Sequence, residues 1–482
     1  MVIANELRPT ILCGLGFGDE GKGSFVDAWA RRQDRAPIVV RYNGGPQAAH
    51  HVVIPDGTVH CFAQLGSGMF RPDVSTLLSP FMLVEPLLLL KEAQQLASLG
   101  VPTPLERTIV SRRCIVVTPF HKLVGQLREL ARGEARHGSC GLGVGQAWLD
   151  AQNPSIPSLR IEDLTDRTTL SAKLRFLQLV KVDQAEQLLD GMSQPVSSEC
   201  LAILTALSRR SAVSQLCEGY GHFRQSGVRL GDDSQLAALL SDEQQPLLFE
   251  GAQGALLDAT FGFFPFVTPS CTRFDNARTL LSGRKAQTYG ILRAYATRHG
   301  PGPLVSEAPR LSQELPDAHN RNNPWQGPMR VGWFDAVAMR YALAVVGGVD
   351  RLAISCLDRL VQRGPLKLCR AYRYQGPAAT DLDDLFVRSS DGTILDIRVP
   401  QQPTLTQQAQ LGLRLTLCQP VYDELPAISS MHTRDGQLSR DAHAYLSTLL
   451  SALRLSDDQL GYVSMGPTAQ DKLWRWLPSH KP

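Results

Sequence analysis

Short apolar runs separated by amphipathic stretches set the pattern of this chain. Thr10-Ile-Leu-Cys13 reads as a buried strand, a glycine-rich turn follows, and Ser24 to Arg32 reads as a helix. Pro37-Ile-Val-Val-Arg41 is a second strand, ending at Gly44-Gly45. A strand, a loop, a helix and a second strand make the unit from which parallel sheets are built. Apolar positions over 86–98 recur at helical spacing and stop at Gly100. Residues 165–245, rich in Leu, Gln and Ser, are helical in pattern and read as an inserted helical region. Further strands are expected at Leu247–Phe249, Ala286–Leu292, Arg351–Leu357 and Gly461–Ser464. Pro, Asn and Gly crowd 300–330, which reads as a long loop of the kind that usually serves function. The fold class is therefore α/β, with a mostly parallel central sheet, flanking helices and ligand loops beyond the carboxyl ends of the strands. With no internal repeat, the 482 residues are read as one domain carrying the helical insert and the loop-rich region.

Composition changes this picture little. The chain is 43% hydrophobic and 20% charged, as expected of a globular enzyme, and its net charge of +3 is scattered. No basic run suggests a nucleic-acid partner. The longest apolar run, Phe81 to Leu90, is broken by Glu85 and Pro86 and is too short to span a bilayer. Met1 to Glu6 lacks the basic and apolar segments of a signal peptide. None of the ten cysteines forms a Cys-x-x-Cys pair, which fits a reducing compartment. The expectation is a cytoplasmic protein without a membrane partner, acting on small molecules.

The candidate chemistry starts at Gly16-Phe-Gly-Asp-Glu-Gly-Lys-Gly23. Glycines let backbone N–H groups approach phosphate oxygens, and the helix that follows adds a favourable dipole. Lys22 can set a positive charge on the phosphates. The segment nearly matches the P-loop pattern, but position 23 is Gly, so the hydroxyl that would hold Mg2+ is missing. Asp19 and Glu20 inside the loop would repel phosphate unless a metal intervenes, which makes Asp19 a metal ligand, a base or both. A glycine-rich turn without a ligand is the plainer alternative, and the strand before and helix after it argue against that. His50 and His51 lie just past the second strand, on the rim where ligand loops gather. A histidine there can donate to an oxygen gaining charge, although taken alone it is more often structural. His51 is the more expendable, and no third ligand at metal spacing supports a zinc reading.

These residues resemble the adenylosuccinate synthetase family. The family's W-G-D-E-G-K-G is here Phe17-Gly-Asp-Glu-Gly-Lys-Gly23, and its V-V-R-Y-x-G-G-x-N-A-G-H-T is Val39 to His51. F-E-G-A-Q-G-x-L-L-D matches Phe249 to Asp258, P-x-V-T matches Pro265 to Thr268, and G-I-L-x-A-Y-x-T-R-x-G-x-G-P matches Gly290 to Pro303. R-x-G-W-x-D matches Arg330 to Asp335, T-K-L-D resembles Ser355 to Asp358, and S-T-G-P resembles Ser464 to Pro467. The matches fall in family order from about residue 10 to about 470.

The resemblance implies a GTP- and Mg2+-dependent ligase that phosphorylates the 6-oxygen of a purine nucleotide and lets an amine displace the phosphate. Asp19, His50 and Lys22 would be catalytic. Asp19 would take the purine N1 proton and, with Ala49, hold the metal. His50 would support charge on the 6-oxygen and the γ-phosphate. Gly18, Glu20, Gly21, Gly23, Asp358, Ser464 and Gly466 would bind the nucleoside triphosphate, with Asp358 accepting from the guanine N1–H and 2-amino donors. Gln47, Cys140, Gln253 and Thr268 would face the acceptor, and Arg298 and Arg330 the amine. Family members are homodimers, and that partner is carried over by analogy.

The substrate segments depart from the family. Its aspartate loop, T-T-G-R-R-R-R-T-G-W, is here Pro324-Trp-Gln-Gly-Pro-Met-Arg330 before Gly332-Trp333, and only the last arginine survives. A hydrogen bond to a charged group contributes about 1.5–3 kcal/mol, so this loss counts against aspartate as the amine. Arg298 and Arg321 remain to hold one carboxylate. Gln47 replaces an Asn, Cys140 a Thr, and Cys356 the Lys of T-K-L-D, while no arginine stands near Ser155-Ile156 to be shared across a dimer. The expected function is a ligase that kept its phosphoryl chemistry and changed its substrates. The alternatives are a carbonyl-oxygen kinase or NTPase without ligation, and a nucleotide-binding regulator without turnover.

Overall fold

The strands foreseen in the sequence assemble into one sheet. In the computed structural model, which describes residues 7–317, 323–432 and 437–474, the sheet has ten strands. In chain order they are β1 (Thr10–Gly14), β2 (Ile38–Arg41), β3 (Ser75–Leu78), β4 (Thr108–Ser111), β5 (Arg229–Gly231), β6 (Leu247–Gly254), β7 (Gln287–Arg293), β8 (Arg351–Ser355), β9 (Leu460–Ser464) and β10 (Lys472–Trp474). Their spatial order is β10-β9-β8-β7-β1-β6-β2-β3-β4-β5, and all neighbours are parallel except β9 and β10. β1 therefore sits centrally, between β6 (Ile11 opposite Phe249) and β7 (Cys13 opposite Gly290). The chain winds outward from it in both directions, so the crevice for a ligand opens where β1 ends.

Burial on both faces explains the unbroken apolar runs. Ile11, Cys13, Phe249 and Ile354 point into one core, Leu12, Val39, Leu248 and Ile291 into the other. Helix α1 (Lys22–Ala30) covers the second core through Phe25, which meets Tyr289, Tyr462 and Trp474 at ring distances of 5.1, 4.8 and 5.0 Å. Helix α2 (Pro86–Ser98) has the foreseen bounds, because Glu85 caps it by accepting from Leu87 and Leu88 N–H and Pro86 takes its first position.

The helical region forms as expected. Helices α3 (Pro119–Arg132) and α4 (Val144–Gln152) precede α5 (Arg167–Asp190), α6 (Ser198–Leu207) and α7 (Ala212–Gln225), with Asp166 and Ser197 capping α5 and α6. A buried triad ties α5 to the body: Asp150 accepts from Lys181 Nζ at 2.6 Å and meets His121 Nε2 at 3.0 Å. The difference lies at Arg229–Gly231, which is the edge strand β5, too short for its period to show in the sequence. The described part of 300–330 holds regular elements where a loop was expected. It holds a helix at Pro309–Glu314, a turn at 323–327, and the start of strand Met329–Gly332, which pairs with Ala296–His299. A second sheet built on the antiparallel pair Leu366–Tyr374 and Cys418–Leu425 was not foreseen at all. No helix among the described residues is long and apolar enough to cross a membrane.

Candidate active site

The segment 16–23 links β1 to α1 and lies in the central crevice. Gly18 and Gly21 take φ of 116° and 86°, conformations that side-chain-bearing residues rarely adopt. Gly23 answers why this loop lacks the P-loop hydroxyl. A Cβ there would stand 2.9 Å from His50 Cβ and 3.0 Å from the His50 carbonyl carbon. The hairpin His50–Val53 with Val59–Phe62 packs directly on the start of α1, and glycine admits it. The apposition brings His50 against the phosphate loop.

Lys22 and Glu20 behave differently from a simple phosphate cradle. Lys22 is buried, and its Nζ donates to Glu20 Oε2 and to the Gly18 carbonyl, both at 2.6 Å. Glu20 Oε1 accepts from Gly18 N–H at 2.7 Å. A buried ammonium needs a counter-charge, and Glu20 supplies it. This removes the repulsion expected from the acid pair, because Glu20 is folded under the loop and neutralised by Lys22. Asp19 is half-buried, and its carbonyl accepts from Arg293 Nε. Burial pushes the Asp19 pKa above the usual aspartate range; Arg293 opposes the shift and Glu20 adds to it.

His50 acquires a partner that the sequence reading missed. Its Nδ1 lies 2.6 Å from Glu250 Oε1, at the middle of β6. Ser67 N–H donates to the other Glu250 oxygen at 3.1 Å, and Ser67 Oγ also donates to this carboxylate. Burial would raise the Glu250 pKa, but the Arg41 charge and the bonds from His50 and Ser67 outweigh it and hold the carboxyl down at about 2. Burial lowers His50 to about 4 despite the Glu250 bond. Glu250 is thus ionised, His50 is neutral with its proton on Nδ1, and Nε2 carries a lone pair. To donate to a phosphoryl or purine oxygen, His50 must gain a proton on Nε2, and the Glu250 carboxylate is placed to stabilise the imidazolium. The available signal was a charged residue inside the apolar run Leu247 to Gly254.

Of the four residues expected to face an acceptor, Gln47 and Gln253 meet at one corner, and Gln253 lies against Gly18. Gln253 (φ 59°) and Gln47 flank Gly44-Gly45, and both side-chain oxygens are buried without a hydrogen-bond partner among the described residues. Asn43 fixes this corner by bonding both the N–H and the carbonyl of Ala252, at 2.8 and 2.9 Å. Ala49 is exposed at the entry to the hairpin, and Thr268 is buried, its N–H held by the Leu257 carbonyl at 2.8 Å. Cys140 is half-buried in the 138–143 loop.

The two segments that depart from the family meet each other. A Cβ on Gly141 would fall 2.7 Å from the Trp325 ring, and one on Gly138 would fall 2.3 Å from Pro301. Asn323 Oδ1 accepts from the N–H groups of Trp325 and Gln326, and Gly327 N–H donates to the Asn323 carbonyl at 2.7 Å, closing a tight turn over this loop. The arginines expected to face the amine are committed elsewhere. Arg298 is 1% exposed and donates to the carbonyls of Pro301 and Pro303 at 2.9 and 2.8 Å, with its guanidinium 4.2 Å from the Phe17 ring centre. Arg330 pairs with Glu307 and donates to the carbonyls of Gly300 and Gly302. Arg321 lies outside the described residues.

At the other end of the loop, Ser355 Oγ donates to the Glu20 carbonyl at 2.7 Å, which sets the turn at Cys356 (φ 57°) and Asp358 beside Gly21. Ser464 Oγ donates to the Gly466 carbonyl at 3.1 Å on the neighbouring strand end. Among the described residues no three His, Cys, Asp or Glu side chains form a metal cage. Mg2+ does not require one: it is commonly held by one or two carboxylates and by substrate phosphates, and Asp19 fits that donor set.

Comparison with known proteins bears on the family and the fold. The adenylosuccinate synthetase family model matches residues 11–473. The adenylosuccinate synthetase of Desulforamulus reducens is 30% identical over 471 residues, covering 95% of this chain and 97% of that protein. That of Thermosynechococcus vestitus is 29% identical, covering 98% and 95%. Among solved structures, the fully ligated adenylosuccinate synthetase of Plasmodium falciparum superposes with a TM-score of 0.74 at 18% identity, covering 97% of this chain and 99% of that one. The succinoaminodeoxyadenylate synthetase of cyanophage S-2L, bound to dGMP and to dATP as an energy donor, does so with a TM-score of 0.55 at 17% identity, covering 97% and 95%. The fold, the crevice and the ordered motifs converge on one assignment: the chain belongs to the adenylosuccinate synthetase family of GTP-dependent ligases that form carbon–nitrogen bonds.

Proposed function

We propose that this chain phosphorylates the 6-oxygen of a purine nucleotide with GTP and joins C6 to an amine that is not aspartate held in the family's usual way. The reading is supported by the packing of His50, with its Glu250 partner, against Gly23 of the same loop that carries Asp19. A base and a proton donor are what the first step needs. Asp19 takes the N1 proton, and the 6-oxygen attacks the γ-phosphorus as GDP leaves. The amine then adds at C6, loses a proton, and expels phosphate. Mg2+ on Asp19, Ala49 and the nucleotide phosphates would supply charge neutralisation. Cys140 and Thr268 face the acceptor, while the unpartnered Gln47 and Gln253 oxygens suit ring N–H or amino donors. The cyanophage enzyme, bound to dGMP, shares this fold and carries such a purine. The amine reading rests on the closed 323–327 turn and on the engagement of Arg298 and Arg330 by the chain's own acceptors.

The test is incubation with GTP and Mg2+, IMP or dGMP, and a panel of amines. Phosphate release that depends on an amine other than aspartate is expected. Formation of adenylosuccinate from IMP and aspartate at an ordinary enzymatic rate would overturn the amine reading, and release without any amine would overturn the ligase.

A proton count follows from the neutral His50. Its free-enzyme pKa near 4 leaves it unprotonated at pH 7, and anionic phosphate drawn against Nε2 raises that pKa. Titration calorimetry of GTP and acceptor in buffers of different ionisation enthalpy should show net proton uptake at pH 7. Uptake that persists in His50→Asn contradicts the assignment.

A further inference from the structure

The family lysine of T-K-L-D is Cys356 here, yet the structure brings a different lysine to the same place. Strand β10 folds back antiparallel on β9, with Trp474 seated 4.7 Å from the Tyr462 ring and 5.0 Å from that of Phe25. This directs Lys472 over the carboxyl ends of β8 and β9. Its Nζ donates to Ser464 Oγ at 2.7 Å and to the Gly466 carbonyl, which leaves one of its three N–H donors. Asp358, Asp471 and Cys356 lie within electrostatic reach of the ammonium. Asp358 is half-buried and is not ion-paired to any lysine or arginine among the described residues. Lys472, opposite Ser464 at the end of β9, and Asp358, just past the end of the paired strand β8, thus present an ammonium and a carboxylate where nucleotide loops converge.

We propose that Lys472 is the specificity-determining residue for the nucleoside triphosphate, donating to the oxygen at purine position 6 while Asp358 accepts from N1–H and the 2-amino group. The proposal rests on the reading of this site as a GTP site. A donor next to an acceptor matches the guanine edge, an oxygen beside two donors. The adenine edge carries a donor at position 6 and an acceptor at N1, so both contacts fail. The lysine function has moved from the turn after β8 to the final strand, which makes Cys356 tolerable.

The test is equilibrium binding of GTP, ITP, ATP and 2-aminopurine riboside triphosphate to the wild-type chain and to Lys472→Met. ITP keeps the oxygen and N1–H and lacks the 2-amino group; the 2-aminopurine nucleotide keeps the 2-amino group and lacks both the oxygen and N1–H, so it offers Lys472 no oxygen to meet. The variant should bind GTP and ITP about tenfold more weakly or worse, with the 2-aminopurine nucleotide unchanged. Equal weakening of all four nucleotides means that Lys472 only pins the 464–466 turn, and unchanged GTP binding removes it from the base site; either outcome overturns the proposal. Lys472→Arg keeps a charged donor and should retain the preference of GTP over the 2-aminopurine nucleotide. Its loss there would also overturn the idea, even if the methionine variant folds poorly. Failure of the GTP reading is seen separately, as a wild-type chain that binds no guanine nucleotide.

Discussion

Asp19→Asn is expected to lower turnover by about a thousandfold or more while leaving GTP binding in the absence of Mg2+ within a few-fold of the wild type, since removal of a general base typically costs about 10²–10⁴. Asparagine has the same shape, and the loop is shaped by elements the change does not touch: Gly18 and Gly21 at positive φ, Glu20 under the loop, and the bond from Arg293 Nε to the residue-19 carbonyl. What disappears is the carboxylate proposed to take the N1 proton. Burial raises the Asp19 pKa, so its basicity is greater than that of a surface aspartate. Because the group must be ionised to act, the wild-type rate should fall as pH is lowered through that raised pKa, on an acid limb displaced upward from the ordinary aspartate range. Phosphate release at saturating GTP and acceptor, with nucleotide affinity measured alongside, decides the matter. Turnover within tenfold of the wild type would mean that another group removes the proton.

The phosphate loop, the parallel strands and the helical region were legible because each depends on residues close in sequence. The apolar runs Thr10–Cys13 and Leu247–Phe249 state burial on two faces, and the glycines of 16–23 state a close approach. The partnership of His50 with Glu250 was not legible, since 200 positions separate them and only the β2–β6 pairing brings them together. Glu250 was visible merely as part of a matched motif. The strand pair 366–374 and 418–425 alternates weakly, with the adjacent Leu368 and Cys369 both buried in the same core, and no local signal announced its partner. Arg298 and Arg330 carried the right charge for a carboxylate, but charge in a sequence does not reveal commitment. Only the paired strands 296–299 and 329–332 show that the two guanidiniums hold the 300–303 turn and Glu307. In the same way, Lys22 carried the right charge for phosphate, and its bond to Glu20 shows what it is balanced against.

Glu250→Gln is the second large effect, and it should appear in both stability and rate. Arg41 is fully buried, with Nε and Nη2 lacking hydrogen-bond partners among the described residues and Nη1 on the Leu65 carbonyl, and its charge helps hold the Glu250 carboxyl down, so Glu250 serves as a counter-charge to it without a direct ion pair among the described residues. Removing one partner of a buried charge pair typically costs about 3–5 kcal/mol. With an unfolding entropy near 2.1 cal/mol/K per residue, a chain of 482 residues would lose about 3–5 °C of melting temperature. The pH dependence of this contribution has a definite sign. The folded pKa of about 2 lies below the usual value of 4.5, so the stabilisation is fully present above 4.5 and is lost as pH falls towards 2. The glutamine variant should lack that acid-side loss. The rate should fall for a different reason. A neutral amide opposite Nδ1 cannot stabilise the imidazolium that His50 needs in order to donate from Nε2, so kcat should drop by about 10²-fold or more, together with the proton uptake on binding. Glu250→Asp separates the two effects. It restores a negative charge near Arg41 but shortens the reach to His50, and should recover most of the melting temperature while kcat stays low. If kcat returns in proportion to stability, Glu250 acts only through the fold and the dyad has no part in the phosphoryl step.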